Sequence, residues 1–125
     1  MYRQQQIWPK RQALALCPDG HPERRFALLE LGVSLRSYCR RFGDNSVLEE
    51  SISMQREALA LCPREHPDRH RFLYELSMGI WCHYEHFSDK SSLEETISLQ
   101  RVALMFCPKD HPDRCRFLHQ LGTCI

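Results

Sequence analysis

The peptide Cys-Pro-x-x-His-Pro occurs three times at one fixed spacing, as Cys17–Pro22, Cys62–Pro67 and Cys107–Pro112. Each copy follows the last by 45 residues, with no insertion or deletion. The flanks repeat as well: Ala13-Leu14, Ala58-Leu59 and Ala103-Leu104 precede the cysteines, and Arg24, Arg69 and Arg114 follow the second prolines. A period of 20 to 50 residues marks a stacked array, in which each unit buries its apolar face against its neighbours. Such arrays commonly present a surface to a partner. Repetition also argues against catalysis, because an active site is singular while scaffold positions recur.

Each repeat reads as two helices. Pro22, Pro67 and Pro112 suit a first helical turn, where the missing N–H has no partner to lose. The residue before each proline is pushed to extended dihedrals, which places His21, His66 and His111 at helix caps. Leu28, Leu31, Leu35, Tyr38 and Phe42 then recur at three- and four-residue steps, one apolar stripe on a helix of about six turns. Leu73, Leu76, Ile80, Tyr84 and Phe87 repeat that stripe, and Leu118, Leu121 and Ile125 begin it again. Gly43-Asp44-Asn45 and Ser88-Asp89-Lys90 break the helices.

Second helices are expected to open with the capping boxes Ser46-x-x-Glu49 and Ser91-x-x-Glu94. Their apolar positions are Leu48, Ile52, Ala58, Leu59 and Cys62, then Leu93, Ile97, Ala103, Leu104 and Cys107. Pro63 and Pro108 stop them. Ile7, Arg11 and Ala13 fall in register with Ile52, Arg56 and Ala58, so the chain starts within a second helix, which Pro9 is expected to delay. The expected fold is therefore all-α, a solenoid of antiparallel helical hairpins with short links. It forms one repeat domain over 1–125, divided as 1–20 (second helix only), 21–65, 66–110 and 111–125 (first helix only). Uncapped ends of such an array invite self-association.

Bulk properties narrow the function classes. Net charge is +1, which gives no pull toward nucleic acid or anionic membrane. No apolar run approaches a membrane span, and Met1–Lys10 lacks the apolar stretch of a secretory signal. A cytoplasmic, intracellular location is expected. Seven cysteines are an odd count without an export signal, so free thiols are expected rather than a disulfide framework. There is no phosphate-cradling glycine loop, so no cofactor is expected. The basic face formed by Arg24, Arg25, Arg36, Arg40 and Arg41 reads as a solvated surface offset by nearby glutamates.

Cys17/His21, Cys62/His66 and Cys107/His111 each form Cys-x3-His, a pair of zinc-binding residue types. One link supplies two ligands where a closed site needs four. Neighbouring links stand about 10 Å apart by helix-packing distances, so they do not converge. No metal or catalytic residue is expected there. His66/His70 and His83/His86 are at most weak surface pairs.

Leu28-x-x-Leu31-Gly32-x-x-Leu35 and Leu118-x-x-Leu121-Gly122 resemble the first-helix signature of the tetratricopeptide repeat. Leu73-x-x-Leu76-Ser77 replaces the glycine with another small residue. Ala58 and Ala103 match the second-helix small position, and Pro63 and Pro108 match the closing proline. The 45-residue period exceeds the usual 34 or so. The His-Pro-Asp-Arg links and long first helices resemble the kinesin-light-chain-like branch and, most closely, long fungal arrays of that type.

The resemblance implies a right-handed superhelix with a concave, partner-binding face made from first helices. It places Phe26, Leu29, Val33, Arg36, Arg71, Tyr74, Met78, Trp81, Arg116, His119 and Thr123 on that face. Tyr74, Met78 and Trp81 share one side of a helix, as interface anchors or as packing against the next hairpin. A carboxylate clamp of the chaperone-tail type is not expected, since Leu29, Val33, Glu75 and Gln120 fall at the clamp positions and only Arg116 suits the role. The implied function is a non-enzymatic module that binds a peptide or protein. In fungal arrays of this type such repeats sit beside nucleotide-binding switch or caspase-like domains. A regulatory segment of a larger signalling protein is therefore the alternative, with a truncated array that binds little as the third.

Overall fold

In the computed structural model, which describes residues 2–43 and 45–124, the described residues form six helices and no strand. They are α1 (Tyr2–Ala15), α2 (Arg24–Phe42), α3 (Ser46–Leu61), α4 (Arg69–Phe87), α5 (Lys90–Phe106) and α6 (Arg114–Cys124). None is long and apolar enough to cross a membrane. The chain divides into two compact units, Met1–Cys62 and Pro63–Ile125.

In the first unit α2 packs against both α1 and α3. The stripe on α2 is its core: Leu28, Leu31, Leu35 and Cys39 are buried. Ile7 and Leu14 of α1 and Val47 and Met54 of α3 close over Leu31 and Leu35. Arg11 ties α1 to α3 by a two-pronged ion pair with Glu50, its Nη2 donating to Oε1 at 2.9 Å. These bonds hold the Glu50 carboxyl below its ordinary pKa, against the opposing effect of burial.

In the second unit α5 packs against both α4 and α6. Phe72, Leu73, Tyr74, Leu76 and Ile80 of α4 are buried, around much of its circumference, while Phe87 at its end is exposed. The apolar stripe expected from Leu118 is displaced by one residue. Phe117 is 1% exposed while Leu118 is 52% exposed. Leu121 is half-buried, and Ile125 lies outside the described residues.

The helix ends show how local chemistry departs from the sequence signals. Pro22 and Glu23, and their counterparts Pro67 and Asp68, form a tight turn and not the first turn of an α-helix. Their helices begin at Arg24 and Arg69, so α2 and α4 run 19 residues each, nearer five turns than six. At the far ends the backbone turns left-handed, at Gly43 with φ 67° and at Ser88 with φ 52°. Their N–H groups donate back to the Cys39 and Tyr84 carbonyls. Asp44, the middle residue of the first expected break, lies outside the described residues.

Neither capping box forms as expected. Ser46 is already inside α3, behind Asn45, whose side chain makes no cap hydrogen bond. On α5 the cap is Asp89, whose carboxylate accepts from the Ser91 N–H at 3.0 Å and the Ser91 hydroxyl at 2.8 Å. The carboxylate is the stronger acceptor and leaves Ser91 as donor. Pro9 does not delay α1 either; it lies in the helix interior. Cys62 and Cys107 end α3 and α5 in extended conformation, as the following prolines require.

Within each unit a small residue meets a buried glutamine across the helix pair. A Cβ added at Gly32 would lie 2.7 Å from Gln55 Nε2 and 2.9 Å from its Cγ and Cδ. Ser51 secures the same crossing, donating to the Gly32 carbonyl at 2.7 Å. In the second unit Ser77 and Gln100 stand at the corresponding sequence positions, and Gln100 Nε2 donates to Ser77 Oγ at 3.3 Å. Gly32→Ala should therefore lower stability by about 1 kcal/mol in urea unfolding, because overpacking outweighs the gain in helix propensity. Gly32→Ser should lose less, its hydroxyl being able to accept from Gln55. A second expectation concerns acid. The depressed Glu50 pKa contributes stability above its ordinary value of 4.5, and that contribution is lost as pH falls below it. Arg11→Gln should flatten this part of the pH–stability curve, measured by thermal unfolding from neutral pH downward.

Candidate functional site

The repeated link is a compact, self-bonded turn. In all three copies the histidine Nδ1 accepts a hydrogen bond from the N–H two residues on, at 3.0 Å: Glu23 on His21, Asp68 on His66 and Asp113 on His111. The histidine carbonyl also accepts from the Arg24, Arg69 or Arg114 N–H. Each imidazole thus closes the turn that leads into its helix, while the cap position itself falls two residues later, at Glu23 and Asp68, and not at the histidines as expected.

The following arginine closes the link, a role the sequence repetition alone did not reveal. Arg24 Nη1 donates to the Cys17 carbonyl at 2.9 Å, while its other nitrogens bond Glu57 on α3 at 3.0 and 3.1 Å. Arg114 Nη1 donates to the Cys107 carbonyl at 3.1 Å and the Leu104 carbonyl at 3.2 Å. Carbonyls at the end of the preceding helix lack the full set of helical donors, and the guanidinium adds to the Cys107 N–H that already bonds the Leu104 carbonyl.

The second unit carries a cavity of about 360 Å³ between α4 and α6. Arg71, Glu75 and Tyr74 line it from α4, and Arg116 and Phe117 from α6. Asp68, His111 and Asp113 border it at the helix starts. Tyr74 stacks on Phe117, ring centroids 4.3 Å apart and 13° from parallel. Arg116 lies over the Tyr74 ring at 5.2 Å and reaches Asp113 at 3.6 Å and Glu75 at 3.9 Å. Both signs of charge therefore meet beside a stacked aromatic pair.

At one end of this cavity three side chains of different origin converge. His70 comes from the first turn of α4, Cys107 ends α5, and His111 lies in the turn that leads into α6. One ligand atom from each lies within 4.8 Å of the others. The His70 and His111 rings meet edge-on with centroids 4.7 Å apart. His70 is 2% exposed, and its buried Nδ1 makes no hydrogen bond of full geometry. Burial, reinforced by the neighbouring His111, lowers the His70 pKa, and burial raises that of the Cys107 thiol. Charged imidazolium and thiolate are both disfavoured there in the absence of a counter-charge.

The expected interface residues divide. Tyr74 and Leu29 are buried, at 6% and 1% exposed, so neither is an open anchor. Tyr74 belongs to the α4/α6 packing because Phe117 covers its ring. Arg71 and Arg116 share the cavity. Met78 and Trp81 are half-buried, with Trp81 against Tyr84 at 5.4 Å, and His119 is exposed. In the first unit Val33 and Arg36 are half-buried. Cys17, Cys39, Cys62, Cys82, Cys107 and Cys115 are free thiols. Of the histidine pairs, His66 is engaged in its turn while His83 Nδ1 bonds Ser92 Oγ at 2.8 Å. His70, expected at most as a surface partner of His66, is instead buried, and Phe117 was not singled out by sequence reasoning. The available signal at His70 was departure from the repeat: Arg25 and Cys115 occupy its position in the flanking copies.

Removing the guanidinium from a link should cost more than removing a surface charge. Arg114→Met deletes two bonds from a charged donor to helix-end carbonyls and should destabilise the chain by about 2 kcal/mol. Arg101→Met, at an exposed position on α5, provides the reference and should change stability by less than about 0.5 kcal/mol. Denaturant midpoints of the two variants decide between these magnitudes. Compared with protein-family models, curated proteins and solved structures, the chain matches none.

Proposed function

We propose that the chain is a non-enzymatic interaction module of tetratricopeptide-like type that docks a peptide or protein segment against its first helices. The observation that carries this reading is the cavity between α4 and α6, the two helices that follow successive copies of the link. An array brings such helices together along one face. The helix limits support the reading: α2 and α4 have equal length and begin at the same place after their links. Arg71, Glu75 and Arg116 offer donors and acceptors to an extended backbone and its side chains, and the Tyr74–Phe117 stack forms a rigid wall. This is the chemistry of peptide capture in a groove, with orientation set by few polar groups.

The test is a double charge reversal, Arg71→Glu with Arg116→Glu, applied to exposed side chains outside the buried core. Partners captured by the wild-type chain should be lost from the variant by at least about tenfold in affinity, while helicity by circular dichroism is unchanged. Equal capture by both folded proteins would move the binding surface away from α4 and α6. A second reading is self-association, favoured by Met105 at 81% and Leu118 at 52% exposed. Light scattering across a concentration series distinguishes it, because a monomer at all concentrations removes it.

A further inference from the structure

We propose that His70, Cys107 and His111 bind a thiophilic divalent metal ion of the Zn²⁺ type, and that uptake of the ion releases the imidazole bond to the Asp113 N–H in the turn that leads into α6. Two imidazoles and a thiolate are a ligand set suited to Zn²⁺, which takes nitrogen and sulfur at about 2.0–2.3 Å. Tetrahedral bonds of that length hold ligand atoms about 3.4–3.8 Å apart. The three side chains, with ligand atoms within 4.8 Å of one another, need to close by about an ångström. The Asp113 carboxylate, with Oδ2 3.8 Å from His111 Nδ1, or solvent fills the fourth position.

The independent sign of a ligand is His70. It is almost completely buried, and its Nδ1 makes no hydrogen bond of full geometry, although the ring lies within reach of the Pro67 carbonyl. Buried polar atoms are nearly always satisfied, and an ion would satisfy this one. The site also answers the objection that one link offers only two ligands. Its third ligand comes from the start of α4 and not from another link. The corresponding positions in the flanking copies are Arg25 and Cys115. Arg25 offers no ligand, so the three-ligand set belongs to this link as a departure from the repeat.

The release of the Asp113 N–H follows from the imidazole itself. A neutral imidazole has one in-plane lone pair, and at His111 the Nδ1 lone pair accepts the Asp113 N–H. A metal at Nδ1 takes that lone pair. A metal at Nε2 requires the proton to move to Nδ1, where it blocks acceptance. Either route frees the Asp113 N–H. The Cys107 thiol loses one proton to solvent when it ligates, so each ion bound releases one proton. His21 and His66 keep their turn bonds, because the set is complete only at the third link. Metal occupancy would thus loosen the start of α6, where Asp113 and Arg116 border the cavity.

The experiment titrates the full chain, reduced with a non-chelating phosphine, with Co²⁺ and then with Zn²⁺. One equivalent of Co²⁺ should produce a thiolate-to-cobalt charge-transfer band and intense tetrahedral d–d absorption, both bleached by Zn²⁺. Cys107→Ala should abolish the band, and His70→Gln should weaken binding by more than about 100-fold, since even outer-shell changes cost up to that much. Cys62→Ala should leave the spectrum intact. Zn²⁺ should also speed hydrogen exchange at the Asp113 amide and not at Asp68. A cobalt complex without the thiolate band, or a band that survives in Cys107→Ala, overturns the site. An unchanged Asp113 amide at saturating Zn²⁺ overturns the release of the His111 turn bond. If His70→Gln fails to keep wild-type helicity, the Cys107→Ala spectrum alone decides, because it exchanges one small buried side chain for another.

Discussion

The close crossing of the first and second helices within each unit is the constraint on which the other contacts rest. At Gly32 the absence of a side chain lets Gln55 enter the interface, and the Ser51 hydroxyl fixes the crossing by bonding the glycine carbonyl. At Ser77 the same space is filled by a hydroxyl that accepts from Gln100. Two solutions thus serve one geometric need, one steric and one by hydrogen bonding. The apolar stripes of α2 and α4 can bury only because this approach is permitted. The Arg11–Glu50 pair across α1 and α3 further depends on α3 being held at that depth.

Hydrophobic spacing makes the helices legible in the sequence. Leu28, Leu31 and Leu35, and Leu73, Leu76 and Ile80, lie in the core as their three- and four-residue steps imply. Helix ends were less legible because several residues compete for each cap. Ser91 has the right spacing to Glu94, but the carboxylate of Asp89 outcompetes it as acceptor. Pro9 is a strong local breaker, yet α1 passes through it while Ile7 is buried against α2. One-residue shifts such as Phe117 for Leu118 escape a periodicity argument altogether, since both positions fit the same stripe on a short helix.

The candidate site was legible in part. Arg71 and Arg116 meet at one cavity, as their matching helix positions imply. Tyr74 turned inward because an aromatic ring on α6 was available to stack upon it, a fact carried by neither helix alone. His70 was harder to find. Its meaning arises from the end of α5 and the turn into α6 converging on it, and side chains from three segments of chain form no motif in linear sequence. Chemistry that depends on convergence shows in sequence chiefly as a break in an otherwise regular pattern.

The arginine-closed link has a consequence for how such a chain can change over time. Between Cys17 and Arg24, and between Cys107 and Arg114, the turn is completed by bonds spanning seven residues or fewer. Contacts that near in sequence form early and need little searching by the rest of the chain. A gene segment encoding one link and its hairpin therefore carries its own instructions for turning the corner. The bonds that close such a corner leave the residues beyond it unconstrained, so a departure like that at His70 leaves the turn itself unchanged.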